Sequence, residues 1–290
     1  MERHHPVRPA PEASTAVRRA AVLGKPVAHS LSPVLHRAAY GALGLTGWTY
    51  ERREVDEAGL AAFLGGLGPQ WAGLSLTMPL KRAVLPLLDE ISGTAASVEA
   101  VNTVLFPGDG RRIGDNTDIP GMLAALRERG IERVENAAIL GAGATASSAL
   151  AALARICAGE ITAYVRSERR AGEMRGWGER LGAPVRVAAW ADAAEALTAP
   201  LVIATTPAGT TDALASGVPA RPGALFDVLY APWPTALAAA WSRREGTVLS
   251  GLDLLVHQAV LQVELMTGRS PAPLAAMRAA GEEALHARTA

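Results

Sequence analysis

The sequence predicts an α/β protein built from two domains, and three observations carry that prediction. Strand-like apolar runs alternate with helical ones along most of the 290 residues, the rhythm of βαβ units around a mainly parallel sheet. The alternation is interrupted at GDNTDIPG (residues 114–121), where Gly, Asp, Asn and Pro cluster. It restarts at NAAILGAG and runs through a second α/β series. A chain of this length with 49% hydrophobic residues can bury two cores.

Taken in order, residues 1–19 (MERHHPVRPAPEASTAVRR) mix Pro, Arg and His without an apolar centre, and are expected to form a disordered leader rather than a signal peptide. AVLGKPV reads as a strand, followed by a helix at PVLHRAAYGALGL, with Ser32 placed to cap it and Pro33 at its first position. TYERREV and AGLAAFLGGL repeat the pair, and AGLSLTM is followed by a helical stretch near 81–100. After the join comes the helix MLAALRERG. The second series then reads as strand NAAILGAG, helix ASSALAALARICA, strand ITAYVR, a helix near 168–181, and strands VRVAAW, LVIATT and ALFDVLY. After TVLSG (247–251), the helices LDLLVHQAVLQVELMTG and PLAAMRAAGEEALHA have no strand to follow them and are expected to fold back over the first domain. The expected domains are therefore residues 20–117, completed by 252–290, and residues 118–251.

Lys+Arg and Asp+Glu balance at 28 each, which gives no electrostatic case for nucleic acid or an anionic membrane. No segment offers the roughly 20 strongly apolar residues of a membrane span. Cys157 is the chain's one cysteine, which excludes an intrachain disulfide and points to a reducing compartment. Its Ala/Leu-rich surroundings suggest a buried structural thiol. A cytoplasmic protein acting on small neutral or singly charged molecules is expected, and a homodimer is compatible with the sequence. His29 and His36 have no carboxylate or cysteine at ligand spacing, so no metal is expected.

A cofactor site is expected where Ala137-Ala138-Ile139-Leu140 runs into Gly141-Ala142-Gly143-Ala144-Thr145-Ala146, a strand leading to a helix through GxGxxA. Glycines permit the tight turn and a close backbone approach, and the amides at a helix N-terminus receive a pyrophosphate; an ordinary glycine turn is the alternative. At the end of the next strand, an NAD site would place an acid for the ribose 2′-hydroxyl. The chain offers Arg166, Ser167, Arg169 and Arg170 instead, and guanidinium groups pair with a 2′-phosphate. NADP is the expected cofactor, with Glu168 as a carboxylate that could still serve NAD.

Of the 28 basic residues only Lys25 and Lys81 are lysine. Arginine stays charged at any physiological pH, whereas a lysine amine can be tuned to give or take a proton. Lys81, closing Gly73-Leu74-Ser75-Leu76-Thr77-Met78-Pro79-Leu80-Lys81, is thus a proton-transfer candidate; the competing explanation for its rarity is genomic composition. Ser30 and Ser32 put two hydroxyls at a helix N-terminus, a cradle for a carboxylate that capping alone could also explain. Asn102 and Asn116, two of the chain's three asparagines, lie near Asp118 in sequence, and Gln258 sits in an apolar helical run. Together they suit a polyol.

GKPVAHSLSP, SLTMPLK, AVNT, GDNTD, GAGATA, DVLYAPWPT and GLDLLVHQA, in this order and spacing over about residues 20–275, resemble shikimate dehydrogenase. The resemblance implies an amino-terminal substrate domain and a Rossmann-type NADP-binding domain facing each other across a cleft, and NADPH-dependent reduction of 3-dehydroshikimate to shikimate in the route to aromatic amino acids. It implies that Lys81 and Asp118 form the catalytic pair. Ser30 and Ser32 would bind the carboxylate, Thr77, Asn102 and Gln258 the hydroxyls, and Tyr230 would close the pocket. Gly141, Ala142, Gly143, Ala144, Thr145, Arg166, Ser167 and Arg170 would hold the dinucleotide, with Val228 and Gly251 near the nicotinamide. The chain departs from the family's pattern at Ser75, where an Asn is common, and at Val165-Arg166-Ser167, where the family has Asn-Arg-Thr. The first departure would leave a shorter hydroxyl in the pocket, and the second would soften NADP preference. The competing readings are a quinate/shikimate dehydrogenase using NAD and a non-catalytic NADPH-binding relative. Intact Lys81 and Asp118 disfavour the silent relative. The paired serines disfavour a third reading, methylenetetrahydrofolate dehydrogenase.

Overall fold

The computed structural model describes residues 17–289 and contains two six-stranded sheets. Residues 1–16 of the expected leader lie outside the described residues. Arg18 and Arg19 belong to no leader, because they open strand β1 (Arg18–Gly24) and donate their N–H groups to the Gly47 and Gln70 carbonyls, each at 2.9 Å.

The first sheet begins as two βαβ units, β1 with helix α1 (Ser32–Ala42) and strand β2 (Trp48–Glu54), then helix α2 (Glu57–Gly65) and strand β3 (Trp71–Leu76). β2 and β3 pair in parallel on either side of β1. Every residue of β3 is buried, as befits a central strand covered on both faces. The helical stretch expected near 81–100 is broken into a one-turn helix α3 (Leu80–Ala83), a 3-10 turn (Leu85–Leu87), strand β4 (Glu90–Ile91) and helix α4 (Gly93–Val98). Pro86 has no N–H to continue a helix, and Ser92 restarts one by accepting from the Ala95 N–H. Strands β5 (Thr103–Leu105) and β6 (Ile113–Asp115), too short for alternation to reveal, complete the order β2-β1-β3-β5-β6-β4, with β5 antiparallel to both neighbours.

Helix α5 (Asp118–Glu128) leads to the second sheet. It starts four residues ahead of MLAALRERG, because Asn116 Oδ1 accepts the N–H groups of Asp118 and Ile119 (3.0 and 3.2 Å) and Pro120 is tolerated in a first turn. The second sheet comprises β7 (Ala137–Leu140), α6 (Ala144–Ile156), β8 (Ile161–Val165), α7 (Glu168–Leu181), β9 (Val185–Ala189), β10 (Leu201–Ala204), β11 (Ala224–Asp227), α8 (Ala236–Arg243) and β12 (Thr247–Leu249). Its strands pair in parallel in the order β12-β11-β10-β7-β8-β9. This is the doubly wound, Rossmann-type arrangement, with a switch of direction at β7. α7 keeps the bounds read from sequence, with Ser167 capping its start and Gly182 its end in the left-handed region at φ +62°. α8 and a 3-10 segment at Trp190–Thr198 are additions to the elements read from sequence. Cys157 lies just past α6 and is half-buried rather than enclosed.

Ile139 and Phe226 pack one face of this sheet, while Leu140, Leu225 and Trp241 pack the other. After β12 the chain returns. Helices α9 (Gly251–Thr267) and α10 (Leu274–Thr289) pack on α1 through Leu35, Val256 and Met277. Met266 of α9 fills the space above Gly73 of β3, where an added Cβ would sit 2.8 Å from the Met266 Cγ. Among the described residues no helix is long and apolar enough to cross a membrane.

Candidate active site

In both sheets the residues just beyond the carboxyl ends of parallel strands face one cavity of about 280 Å³. Ser30 and Ser32 follow β1, Thr77 and Lys81 follow β3, Thr145 follows β7, Val228 and Tyr230 follow β11, and Gly251 follows β12; all line it. Ligands of α/β proteins bind at such strand ends. Asn102 and Asp118 line the floor, and Gln258 reaches it from α9. The eight residues expected to handle substrate and proton therefore converge. A larger opening of about 400 Å³ elsewhere, lined by Thr94, Arg155 and Glu264 among others, contains none of these eight.

Lys81 Nζ donates to Asp118 Oδ2 at 2.6 Å, with the two side chains 14% and 7% exposed. Asp118 stands in the first turn of α5, where the helix dipole favours a negative charge. Its other oxygen, Oδ1, accepts from Asn102 Nδ2 at 2.9 Å. The Thr117 N–H donates to Asn102 Oδ1 at 2.8 Å, which fixes the direction in which that amide presents its NH₂. Gln258 Oε1 accepts from Asn102 Nδ2 (3.4 Å) and Thr117 Oγ1 (3.3 Å). Lysine, carboxylate and two carboxamides thus form one buried array, with the lysine amine at the cavity wall.

Asn116 has a different task from the one its composition suggested. Its Oδ1 caps α5 and its Nδ2 donates to the Ala100 carbonyl (2.9 Å) and Ser148 Oγ (3.1 Å), so it holds the helix carrying Asp118 instead of lining the cavity. The serines also exchange roles. Ser32 lies inside α1 without capping it, while Ser30 Oγ accepts the Ser32 N–H at 3.2 Å. Arg52, unanticipated from sequence, grips this loop by donating through Nε and Nη2 to the Ser30 carbonyl (2.9 and 2.7 Å). Burial pushes the Tyr230 phenol up from its ordinary range, keeping it a hydrogen-bond donor at the rim.

Sequence reasoning missed Gln262, which lines the cavity one helical turn beyond Gln258. Ser75 Oγ donates to Gln262 Oε1 and receives from the Tyr50 hydroxyl, both at 2.6 Å. The Ser75 hydroxyl is therefore met by a carboxamide from α9. The spacing of two glutamines four apart in an apolar helix was the available signal.

The cofactor residues fall into two groups. Thr145, Val228 and Gly251 line the cavity. Gly141, Ala142, Gly143 and Ala144 form the turn from β7 into α6, while Arg166 and Ser167 follow the end of the adjacent β8 and Arg170 lies in the first turn of α7. Gly141 has φ +113°, and a Cβ there would lie 2.6 Å from Thr205 Oγ1, so glycine is required. Gly143 precedes α6 without a side-chain cap, leaving the first-turn N–H groups for an anion. A Cβ on Gly251 would lie 2.2 Å from the Val228 carbonyl oxygen, so only glycine permits the close backbone approach of these two cavity-wall residues. Ser167 accepts the Arg170 N–H as the cap of α7, Arg166 lies 5.3 Å over the Trp190 ring, and Arg170 Nη1 pairs with Glu173 at 2.8 Å. This edge fits a dinucleotide with an added phosphate.

Comparison with known proteins gives a consistent result. A family model described as the shikimate dehydrogenase substrate binding domain matches residues 22–104, and one described as the shikimate 5′-dehydrogenase C-terminal domain matches residues 251–280. The shikimate dehydrogenase (NADP(+)) of Moorella thermoacetica is 38% identical over 278 residues, covering 92% of this chain and 93% of that protein. The crystal structure of Mycobacterium tuberculosis shikimate dehydrogenase has a TM-score of 0.84 and 41% identity, covering 92% of this chain and 99% of that one. The Thermus thermophilus enzyme in complex with NADP(H) and shikimate has a TM-score of 0.81 and 34% identity, covering 92% and 100%.

Proposed function

The chain belongs to the shikimate dehydrogenase family, and from that premise we propose that it catalyses the reversible NADPH-dependent reduction of 3-dehydroshikimate to shikimate, a step toward the aromatic amino acids. The observation that carries the reading is the 2.6 Å Lys81–Asp118 pair in a cavity whose opposite wall is Thr145, Val228 and Gly251. One wall belongs to the first sheet and one to the second, so substrate and dinucleotide would meet between them.

NADPH, when bound, supplies hydride to the ring carbonyl carbon. The carbonyl oxygen must gain a proton in the same event, and Lys81 donates it; in the reverse direction Lys81 takes the hydroxyl proton. Asp118 holds the amine toward the cavity and balances its charge, and Asn102 holds Asp118. Ser30 and Ser32 receive the ring carboxylate, with Thr77, Asn102 and Gln258 on the hydroxyls and Tyr230 over the opening. The Gly141–Thr145 turn takes the pyrophosphate on the first-turn N–H groups of α6, and Arg166, Ser167 and Arg170 take the 2′-phosphate. Residues 20–117 with 252–290 act as the substrate domain and residues 118–251 as the cofactor domain. A cytoplasmic setting suits the lone free Cys157.

The test is cofactor reduction by the purified protein with shikimate or quinate, each with NADP or NAD. Turnover is expected with shikimate and NADP above the other three combinations. Dominant turnover of quinate with NAD, or none with shikimate, would overturn the reading.

A further inference from the structure

The Arg170 expected to hold the 2′-phosphate is already engaged. Glu173, one turn along α7, accepts from Arg169 at 2.5 Å through Oε1 and from Arg170 at 2.8 Å through Oε2. A third guanidinium approaches the same Oε2 from the other lobe: Arg82 Nη1, at 3.7 Å. Arg82 immediately follows Lys81 on α3 and lies over the Trp177 ring of α7, its Cζ 4.6 Å from the centroid. Its Nε and Nη2 atoms are buried with no hydrogen-bond partner among the described residues, which is costly for a charged donor. Three guanidinium groups thus share one carboxylate, and the worst served is the one beside the proposed catalytic lysine.

Glu173 Oε2 sits within hydrogen-bond reach of Arg170 at 2.8 Å and short of it for Arg82 at 3.7 Å, so the carboxylate stands on the side of Arg170. A phosphate that takes Arg170 leaves Glu173 Oε2 to the other claimant, and the 3.7 Å gap can close. The contact spans the two lobes. Its near side is the turn carrying Lys81, and its far side is α7, whose first turn carries Arg170. The same junction holds Trp177 Nε1 and Arg180 Nη2 on Glu99, at the end of α4, at 3.0 and 2.9 Å. The cavity has walls from both lobes, so whatever draws α3 toward α7 shifts Lys81, which α3 carries, against the wall formed by Thr145, Val228 and Gly251.

We infer that Arg82 is a positioning residue through which the 2′-phosphate of the dinucleotide reaches the substrate pocket, with the Glu173 carboxylate as the element that changes partner. Coupling of this kind is reciprocal and rests on one element with two arrangements that both ligands bias. The inference builds on the assignment of shikimate and NADP above.

The test uses adenosine 2′,5′-bisphosphate and AMP, which differ in the 2′-phosphate and carry no nicotinamide, so nothing turns over. Shikimate affinity is measured by calorimetry on the whole protein saturated with each. The wild type is expected to bind shikimate about fivefold or more tightly with the bisphosphate than with AMP. Arg82→Met keeps an apolar chain over Trp177 and is expected to bind the bisphosphate while showing the same shikimate affinity with both fragments. Glu173→Gln, milder toward folding, is expected to lose the difference too. Equal affinities in the wild type, or a difference that survives in either variant, would overturn the inference alone. Absence of any shikimate binding would strike the substrate assignment itself and take the inference with it.

Discussion

Gln262 accepts a 2.6 Å hydrogen bond from Ser75, its partner 187 positions earlier in the chain. Gln262 Nε2 donates to Thr103 Oγ1 at 2.9 Å and to the Asn102 carbonyl at 3.2 Å, so one carboxamide ties α9 to β3 and β5 beneath the cavity. Replacing Gln262 by Leu removes these three hydrogen bonds and leaves the buried Ser75 O–H without its acceptor. Each group left unmatched costs about 1 to 3 kcal/mol. A loss of stability in that range is expected by urea denaturation, together with a raised KM for shikimate, because Ser75 and Asn102 border the pocket.

Lys81→Ala is expected to reduce turnover by about 10² to 10⁴, the usual loss when a general acid/base is removed. Fluorescence titration with NADPH should show cofactor binding close to that of the wild type, since Lys81 stands on the substrate side. Asp118→Asn keeps the shape but removes the charge that holds the amine, and turnover should fall by at least about tenfold. Turnover near that of the wild type in Lys81→Ala would remove Lys81 from the mechanism.

Arg166→Ala and Arg170→Ala should lower kcat/KM for NADP while leaving that for NAD nearly unchanged. A hydrogen bond to a charged group contributes about 1.5 to 3 kcal/mol, which corresponds to about 10- to 100-fold for each variant. Steady-state rates with both cofactors read the ratio directly.

Acid should weaken the fold through His36. Burial pushes its pKa down to about 4, outweighing the Ser32 carbonyl that faces Nδ1 at 2.9 Å. The ring stacks on Tyr50 at 3.8 Å between centroids, and its Nε2 has no hydrogen-bond partner among the described residues, so a proton there would be an unpaired buried charge. The unfolded chain takes up that proton near the ordinary histidine value of about 6.5, whereas the folded one does not until about pH 4. Stability from this site is complete above about pH 6.5 and is lost as pH falls toward 4, by about 3 kcal/mol at most. Urea midpoints at about pH 7 and about pH 4.5 should separate less in His36→Gln than in the wild type.

Gly121→Ala should destabilise the protein by about 1 to 3 kcal/mol, the range for overpacking. The added Cβ would lie 2.8 Å from the Gln258 backbone nitrogen, pushing α5 off α9. Those helices carry Asp118 and Gln258, so turnover should fall along with the melting temperature.

Much of this arrangement was legible in the sequence because local chemistry specified it. GAGATA names a strand, a turn and a helix in its own residues, and Ser167 and Gly182 mark the ends of α7. What was not legible depended on distant partners or on very short elements. β5 and β6 span three residues each, too few for a period to appear. Pro86 broke a stretch whose apolar content alone read as helix. The role of Asn116 turned on where α5 begins, and Gln262 looked like any polar residue in a helix until Ser75 was beside it. The Arg82–Glu173 contact joins residues whose local sequences carry no sign of each other.

The return of α9 and α10 onto α1 bears on how the chain is made. Translation delivers β1 to β6 first, yet Leu31 and Leu35 of that lobe find their partners Leu252, Val256 and Met277 only when the last two helices emerge. The parallel sheet between them is complete at β12. On the ribosome the second lobe can therefore close while the first still shows bare apolar surface, which is the condition that recruits chaperones to a nascent chain.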